Sequence, residues 1–191
     1  MAEVTTYSEA DLTDREIEAI VTLTNSVWPK DRLTLKNRIQ QAVSLVRSPD
    51  RAKVNPVRFV VWDNEQVIAH AAIFDRLVHV LDVNDQSTRS VRVLALAGVC
   101  SDPSRRGQGL GLAVVNAAFE KLSRDRPVSL FQTGVPQFYE KLGGRIVDNR
   151  FVNLLDTTEP QANPWWDEHV MIVPGNQAWP TGKIDLNGAG Y

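Results

Sequence analysis

The chain has 191 residues, a formal net charge of -2 and a pI near 5.9, a balance that argues against general binding to nucleic acid or to an anionic membrane. A chain of this length buries roughly 70% of its unfolded surface, so one domain over 1–191 can hold its own core, and neither a structural metal nor a metal site is expected. The single cysteine, Cys100, makes no internal disulfide, MAEVTTYSEAD lacks a basic n-region and an apolar h-region, and no apolar run is long enough to span a bilayer; a cytoplasmic protein with small-molecule partners is expected.

In chain order, Glu3 to Tyr7 reads as a first strand. Thr13 and Glu16 have capping-box spacing, with Leu12 and Ile17 placed as a hydrophobic staple, and the helix runs through Ile20 and Val21 to about Thr24. A second helix carries Leu35, Ile39, Val43 and Val46 on one face and ends before Pro49. VRFVVWD, the turn Asp63 to Gln66 and VIAHAAIFDRLVHV read as a β-hairpin, and a polar turn from Asp82 to Ser90 leads into VRVLALAGV, Val91 to Val99, a buried strand. The pattern predicts four strands and two helix pairs. On the third strand His70 shares a face with Ile68, Ala72 and Phe74, which suits a hydrogen-bonded core histidine.

The run RRGQGLGLAV, Arg105 to Val114, turns the strand ending at Val99 into a helix through a glycine-rich loop. After it, Leu110, Val114 and Ala117 keep helical spacing, while Asn116, Glu120 and Ser123 make a polar stripe. Glycines at 107, 109 and 111 let backbone N–H groups approach a ligand, a helix N-terminus carries roughly half a positive charge, and Arg105 and Arg106 add charged donors. The pattern fits an anion, specifically phosphate. No G-x-x-x-x-G-K-[ST] is present, and counting G-x-G-x-x-G from Gly107 puts Leu112 where the third glycine belongs, so neither a P-loop nor a dinucleotide fingerprint explains it.

What remains is R-x-x-G-x-G at Arg106, Gly109 and Gly111, and here the sequence resembles the GNAT superfamily of acetyl-CoA-dependent N-acetyltransferases. A further strand, VSLFQT, and the segment GVPQFYEKLGG strengthen the resemblance, with Pro136 suited to a first helical turn and Gly143 to its stop. The resemblance implies an α/β (α+β) fold: a mixed, largely antiparallel twisted sheet flanked by helices, with splayed central strands. It also implies that acetyl-CoA is held by Val99, Cys100, Ser101, Arg105, Arg106, Gly107, Gln108, Gly109, Leu110 and Gly111. Gln132 joins this set where many members have an asparagine, and Gly144 replaces a usual phenylalanine. Within the superfamily the look is nearest to the aminoglycoside 2'-N-acetyltransferases, through VIAHAA, Gly98-Val99, RGQ and HVMIVP. Those enzymes carry a glutamate where this chain has Ala97, so the usual base position is empty.

Amine acylation needs donors for the carbonyl oxygen, an acid for the thiolate and a base for the ammonium. Backbone N–H groups at Val99 to Ser101 can bond the pantetheine arm and, by resemblance, the thioester oxygen. Tyr139 carries over as the acid; read structurally, it is a ring covering the core edge. His79 is the candidate base, with Asp82 just beyond it, and a water chain from a remote carboxylate is an equal alternative. Cys100 reads as a small core residue.

The segment 156–191, rich in Trp, Pro and Gly, is too aromatic for a disordered tail and is expected to pack on the body. Its tryptophans either cap a sheet edge, or Asp167, Glu168 and Tyr191 line a pocket for a cationic acceptor. The expected activity is transfer of an acetyl group from acetyl-CoA to a primary amine of a small molecule by direct attack in a ternary complex, with a homodimer left open. The alternatives are a non-catalytic acyl-CoA sensor, a longer acyl donor, or a protein or peptide acceptor.

Overall fold

Thr13 starts the first long helix as its spacing predicts. In the computed structural model, which describes residues 2–29 and 32–191, α1 (Asp14–Val27) opens on a capping box: Thr13 Oγ1 accepts from the Glu16 N–H at 3.3 Å, and the Glu16 carboxylate accepts from the Thr13 N–H at 2.7 Å. Two donors that a helix start leaves unpaired are thereby satisfied. The described chain falls into two compact units, one made of residues up to Phe74 plus Leu96–Lys121, the other of Asp75–Ala95 plus Leu122–Tyr191.

The first unit holds β1 (Thr5–Ser8), α1, α2 (Leu35–Val46), the one-turn α3 (Pro49–Ala52), β2 (Val57–Asp63), residues 66–74 of β3 (Gln66–Leu81), residues 96–101 of β4 (Ser87–Ser101) and α4 (Leu110–Phe119). Its strands follow the order β1-β2-β3-β4. The first strand begins at Thr5, two residues later than the pattern suggests. The β2–β3 hairpin pairs Val57 with Ile73 and Asp63 with Gln66, and Asn64 takes the left-handed conformation at its turn, φ 55°. Ile17, Ile20, Val21 and Leu23 on α1 pack with Leu12, Val46, Val60, Val67 and Cys100, each large aliphatic side chain contributing roughly 1.5–3 kcal/mol by leaving water. On α4 the buried stripe is Leu110, Val114, Val115 and Ala118. That helix ends at Phe119, so Ser123 belongs to a turn bridged to Arg126 and not to a helical polar stripe.

The second unit holds the remaining parts of β3 and β4 with β5 (Ser129–Thr133), α5 (Pro136–Glu140), β6 (Arg145–Ile146), β7 (Arg150–Val152), β8 (His169–Val173) and β9 (Lys183–Asp185). Its order is β3-β4-β5-β8-β6, with β9 beside β3 and β7 beside β9. The β4–β5 and β7–β9 pairs are parallel, and the β5–β8, β6–β8 and β3–β9 pairs are antiparallel, which makes the sheet mixed and mostly antiparallel, as expected. β6, β7 and β9, each of two or three residues, are not legible in the sequence, because a strand that short shows no alternation to read. In the C-terminal segment, Trp165, Ile172, Ile184 and Leu186 share a core with Phe151, Leu130 and Val78, and Trp165 meets the Tyr191 ring edge-on at 4.9 Å.

Candidate active site

The glycine-rich loop lies in the first unit and is built from its own short-range bonds. Asp102 accepts from the Ser104 N–H at 2.8 Å and from the Ser104 hydroxyl at 2.7 Å, with Pro103 at the first position of a single turn that ends at Arg105. Gly107 at φ 80° and Gly109 at φ 75° then carry the chain through left-handed backbone that glycine adopts without penalty, and Gly109 is the N-cap of α4. The first N–H groups of α4 have no acceptor within the helix and point out of its start, where the helix dipole is positive. Gly111 is different. Its backbone is helical, and a Cβ there would meet nothing within 4 Å, so neither conformation nor packing calls for a glycine at that position.

Side chains of the predicted set divide by role. Arg106, Gly107, Gln108 and Gly109 are exposed, whereas Leu110 and Cys100 are buried in the core and offer the loop only their main chain. Burial pushes the Cys100 thiol up to about 12, which removes it as a nucleophile at neutral pH. Arg105 is ion-paired with Asp63 on the β2–β3 hairpin, leaving Arg106 as the exposed guanidinium of the loop. Asp102 was missed, although an aspartate directly before Pro is a legible cap signal.

Upstream, β4 is tied to β3 at two points besides their strand pairing. The Asp102 N–H donates to the Ile68 carbonyl at 2.9 Å, and His70 Nδ1 lies 2.7 Å from the carbonyl of Gly98, itself in the left-handed region at φ 59°. Between these ties run Val99, Cys100 and Ser101. A carbonyl can only accept and the Arg58 guanidinium, 3.2 Å from His70 Nε2, can only donate, so the proton sits on Nδ1 and the lone pair on Nε2. Burial, with the Arg58 charge adding to it, lowers the His70 pKa from 6.5 to about 3, and the ring stays neutral. Behind it, Glu9 is fully buried and accepts from Arg51 Nε at 2.6 Å and Arg58 Nε at 2.5 Å. Burial raises its pKa, but the two guanidiniums outweigh that and hold it low.

In the second unit, Tyr139 on α5 is buried with its ring 4.4 Å from Phe131 and edge-on to Phe138 at 4.8 Å. Burial raises its pKa and the Asp167 carboxylate raises it further, so the hydroxyl keeps its proton through the physiological range. After α5 the chain makes a Schellman turn: Gly144 N–H donates to the Tyr139 carbonyl at 2.9 Å and Gly143 N–H to the Glu140 carbonyl at 3.0 Å, with Gly143 left-handed at φ 79°. A Cβ on Gly144 would lie 2.9 Å from the Tyr139 carbonyl oxygen, which accounts for a glycine in place of phenylalanine.

Gln132 is committed within this unit. Its Oε1 accepts from the N–H groups of Trp166 at 2.8 Å and Asp167 at 2.9 Å, and its Nε2 donates to the Tyr191 main-chain oxygen at 2.9 Å. Tyr191 also donates to the Leu130 carbonyl at 3.0 Å and lies under Arg76. The amide thus organises the segment bearing Asp167, with Glu168 and Trp166 exposed beside it. His79 is not brought to Tyr139. Its Nδ1 is 2.9 Å from Ser90 Oγ; since Leu94 faces Ser129, Ser90 lies as far before that level of the ladder as Thr133 lies beyond it, a strand span of roughly 26 Å.

Residues 17–143 match the acetyltransferase (GNAT) family. The match covers more than half of the chain, and the protein belongs to that family. Similar solved structures include an acyl-CoA N-acyltransferase from Pseudomonas aeruginosa, 22% identical with TM-score 0.52 over 77% of this chain and 89% of that one. A GNAT family acetyltransferase from Brucella melitensis in complex with acetyl-CoA is 14% identical with TM-score 0.55 over 97% and 96%, and Escherichia coli ElaA is 16% identical with TM-score 0.55 over 90% and 99%. These likenesses show the fold. No protein of curated function matches the sequence. Acetyl-CoA is the donor of this family, and the loop fits its diphosphate: two left-handed glycines expose the start of α4, and at Gly111 the space of a side chain stands open. No described helix is long and apolar enough to cross a membrane.

Proposed function

We propose that this acetyltransferase acts on a primary amine of a small molecule, by direct attack in a ternary complex. The observation that supports the donor side of the reading is the start of α4, where the left-handed Gly107 and Gly109 leave the first helix amides open to a diphosphate; the acceptor side is supported by the exposed Glu168 and Trp166 beside Asp167. Bound acetyl-CoA supplies the activated thioester. Main-chain N–H groups from Gly107 to Gly111, with the Arg106 guanidinium, hold its diphosphate, and those of Val99 to Ser101 hold the pantetheine arm and the thioester oxygen.

Tyr139 is the acid that protonates the departing thiolate; its raised pKa keeps the proton in place but weakens the acid, so the role is supported by the resemblance of the F-Y-E-K-L-G segment and not by the shift. Asp167 and Glu168, beside the exposed Trp166, receive the cationic acceptor, with the clasp of Gln132 on the Trp166 and Asp167 amides fixing that segment. An amino sugar of the aminoglycoside kind matches this combination of carboxylates and an aromatic face. Because Ser90 holds His79 far along the ladder from the α5 end, the amine proton leaves through water to a carboxylate instead. The site of action is the cytoplasm.

The test is a thiol-release screen of acetyl-CoA against amines, aminoglycosides and peptides. Release with a small amine supports the reading. Release with peptides alone replaces the acceptor. A second reading rests on Ala97, which puts no carboxylate on the strand ahead of the loop: a non-catalytic acyl-CoA sensor, which would bind acetyl-CoA and release no thiol against any amine.

A further inference from the structure

The buried chain Glu9, Arg58, His70 is larger than a core needs. A fully buried carboxylate with two guanidiniums on it costs desolvation that a hydrophobic cluster of the same volume avoids, and it sits in a unit whose core is otherwise largely apolar, Phe59 and Phe74 included. The chain leads somewhere specific. Glu9 orients Arg58 through Nε, Arg58 NH1 meets His70 Nε2 at 3.2 Å, and His70 Nδ1 ends on the Gly98 carbonyl at 2.7 Å. Gly98 is where β4 leaves regular strand geometry, at φ 59°, and a Cβ there would press the His70 ring at 3.2 Å from Cε1. The ring and the glycine are therefore fitted to each other.

We infer that His70 is a positioning residue for the acetyl transfer: held as one tautomer by the Glu9–Arg58 pair, it fixes the Gly98 carbonyl and so aims the N–H groups of Val99 to Ser101. This rests on the reading above that those amides hold the pantetheine arm. Beyond that stretch the Asp102 N–H is bonded to the Ile68 carbonyl, and β4 is paired with β3, so removing the His70 bond loosens the left-handed bend at Gly98 while the rest of the strand stays held. Misplacement of donors by even about an ångström costs up to about a hundredfold in rate, which makes the effect measurable without any loss of fold.

Two amide variants separate the bonds. His70→Asn places an N–H near the position of Nδ1 and keeps the bond to Gly98; His70→Gln places its amide near the position of Nε2 and keeps Arg58 partnered while leaving the Gly98 carbonyl without its donor. The expected result is that His70→Gln lowers kcat/KM for acetyl-CoA at least about tenfold while His70→Asn stays within about threefold of the wild type. Equal behaviour of the two variants, whether both active or both impaired, overturns the inference. If His70→Gln does not fold, Gly98→Ala takes its place and is expected to show the same loss in kcat/KM; wild-type kinetics in that variant count against the proposal. Wild-type protein that gives no heat with acetyl-CoA would remove the underlying site instead, so the two failures are distinct.

Discussion

Tyr139 is the residue whose chemistry the proposed reaction needs most. Its burial costs the hydroxyl its ionised form, and the nearby Asp167 charge pushes in the same direction, so the hydroxyl stays protonated throughout the working range. Tyr139→Phe keeps the ring packing on Phe131 and Phe138 and is expected to lower kcat at least about tenfold, about 1.4 kcal/mol in barrier, with little change in melting temperature. Steady-state kinetics with a saturating amine check it, and an unchanged kcat takes Tyr139 out of the mechanism.

His70 makes a second prediction at the same scale. Above about pH 6.5 the imidazole is neutral in both folded and unfolded chains; below it the unfolded chain takes up a proton that the folded ring, its pKa lowered to about 3, refuses. Stability therefore falls as pH drops through that window, by about 2 kcal/mol from near pH 7 to near pH 5 from this group alone. Glu9 acts in the same direction, since its carboxylate is held low, but its loss lies further down. Urea unfolding at the two pH values is expected to show a smaller drop for His70→Asn than for the wild type, and equal drops would contradict the neutral buried ring.

At the scale of elements, the start of α4 is where stability and binding pull apart. Gly111 is helical and open at Cβ, so Gly111→Ala is expected to stabilise the fold by about 0.5–1 kcal/mol while raising KM for acetyl-CoA, because the methyl group occupies the approach to the helix amides. A melting temperature that rises with KM unchanged would show that the open space serves no ligand. The turn after α5 makes the opposite case. Gly144→Ala puts a Cβ 2.9 Å from the Tyr139 carbonyl and 3.1 Å from Val173, a clash expected to cost about 1–3 kcal/mol; a melting temperature equal to wild type would mean the turn relaxes freely. Elements with strong periodicity or caps were legible: the Thr13 capping box, the β2–β3 hairpin, and α4 after its glycines all stand where the sequence puts them. The short β6, β7 and β9 were not, because pairing with β8 and β3 defines them, and pairing is a property of distant sequence.

For the whole molecule, the sequence carries the donor more clearly than the acceptor. The loop proposed to hold a diphosphate is local, written in consecutive residues, and the family it signals is the one that residues 17–143 match. The proposed acceptor side depends on bonds between residues far apart in the chain, such as Gln132 with Trp166, Asp167 and Tyr191, and a glutamine on a strand announces none of them. The relay from Glu9 through Arg58 to His70 was likewise invisible except for the buried face of His70. The most direct measurement is therefore a calorimetric titration of the protein with acetyl-CoA, with inorganic pyrophosphate as competitor. The account predicts saturable heat that pyrophosphate diminishes; a flat titration, or binding indifferent to pyrophosphate, contradicts a diphosphate held by the main chain from Arg106 to Gly111.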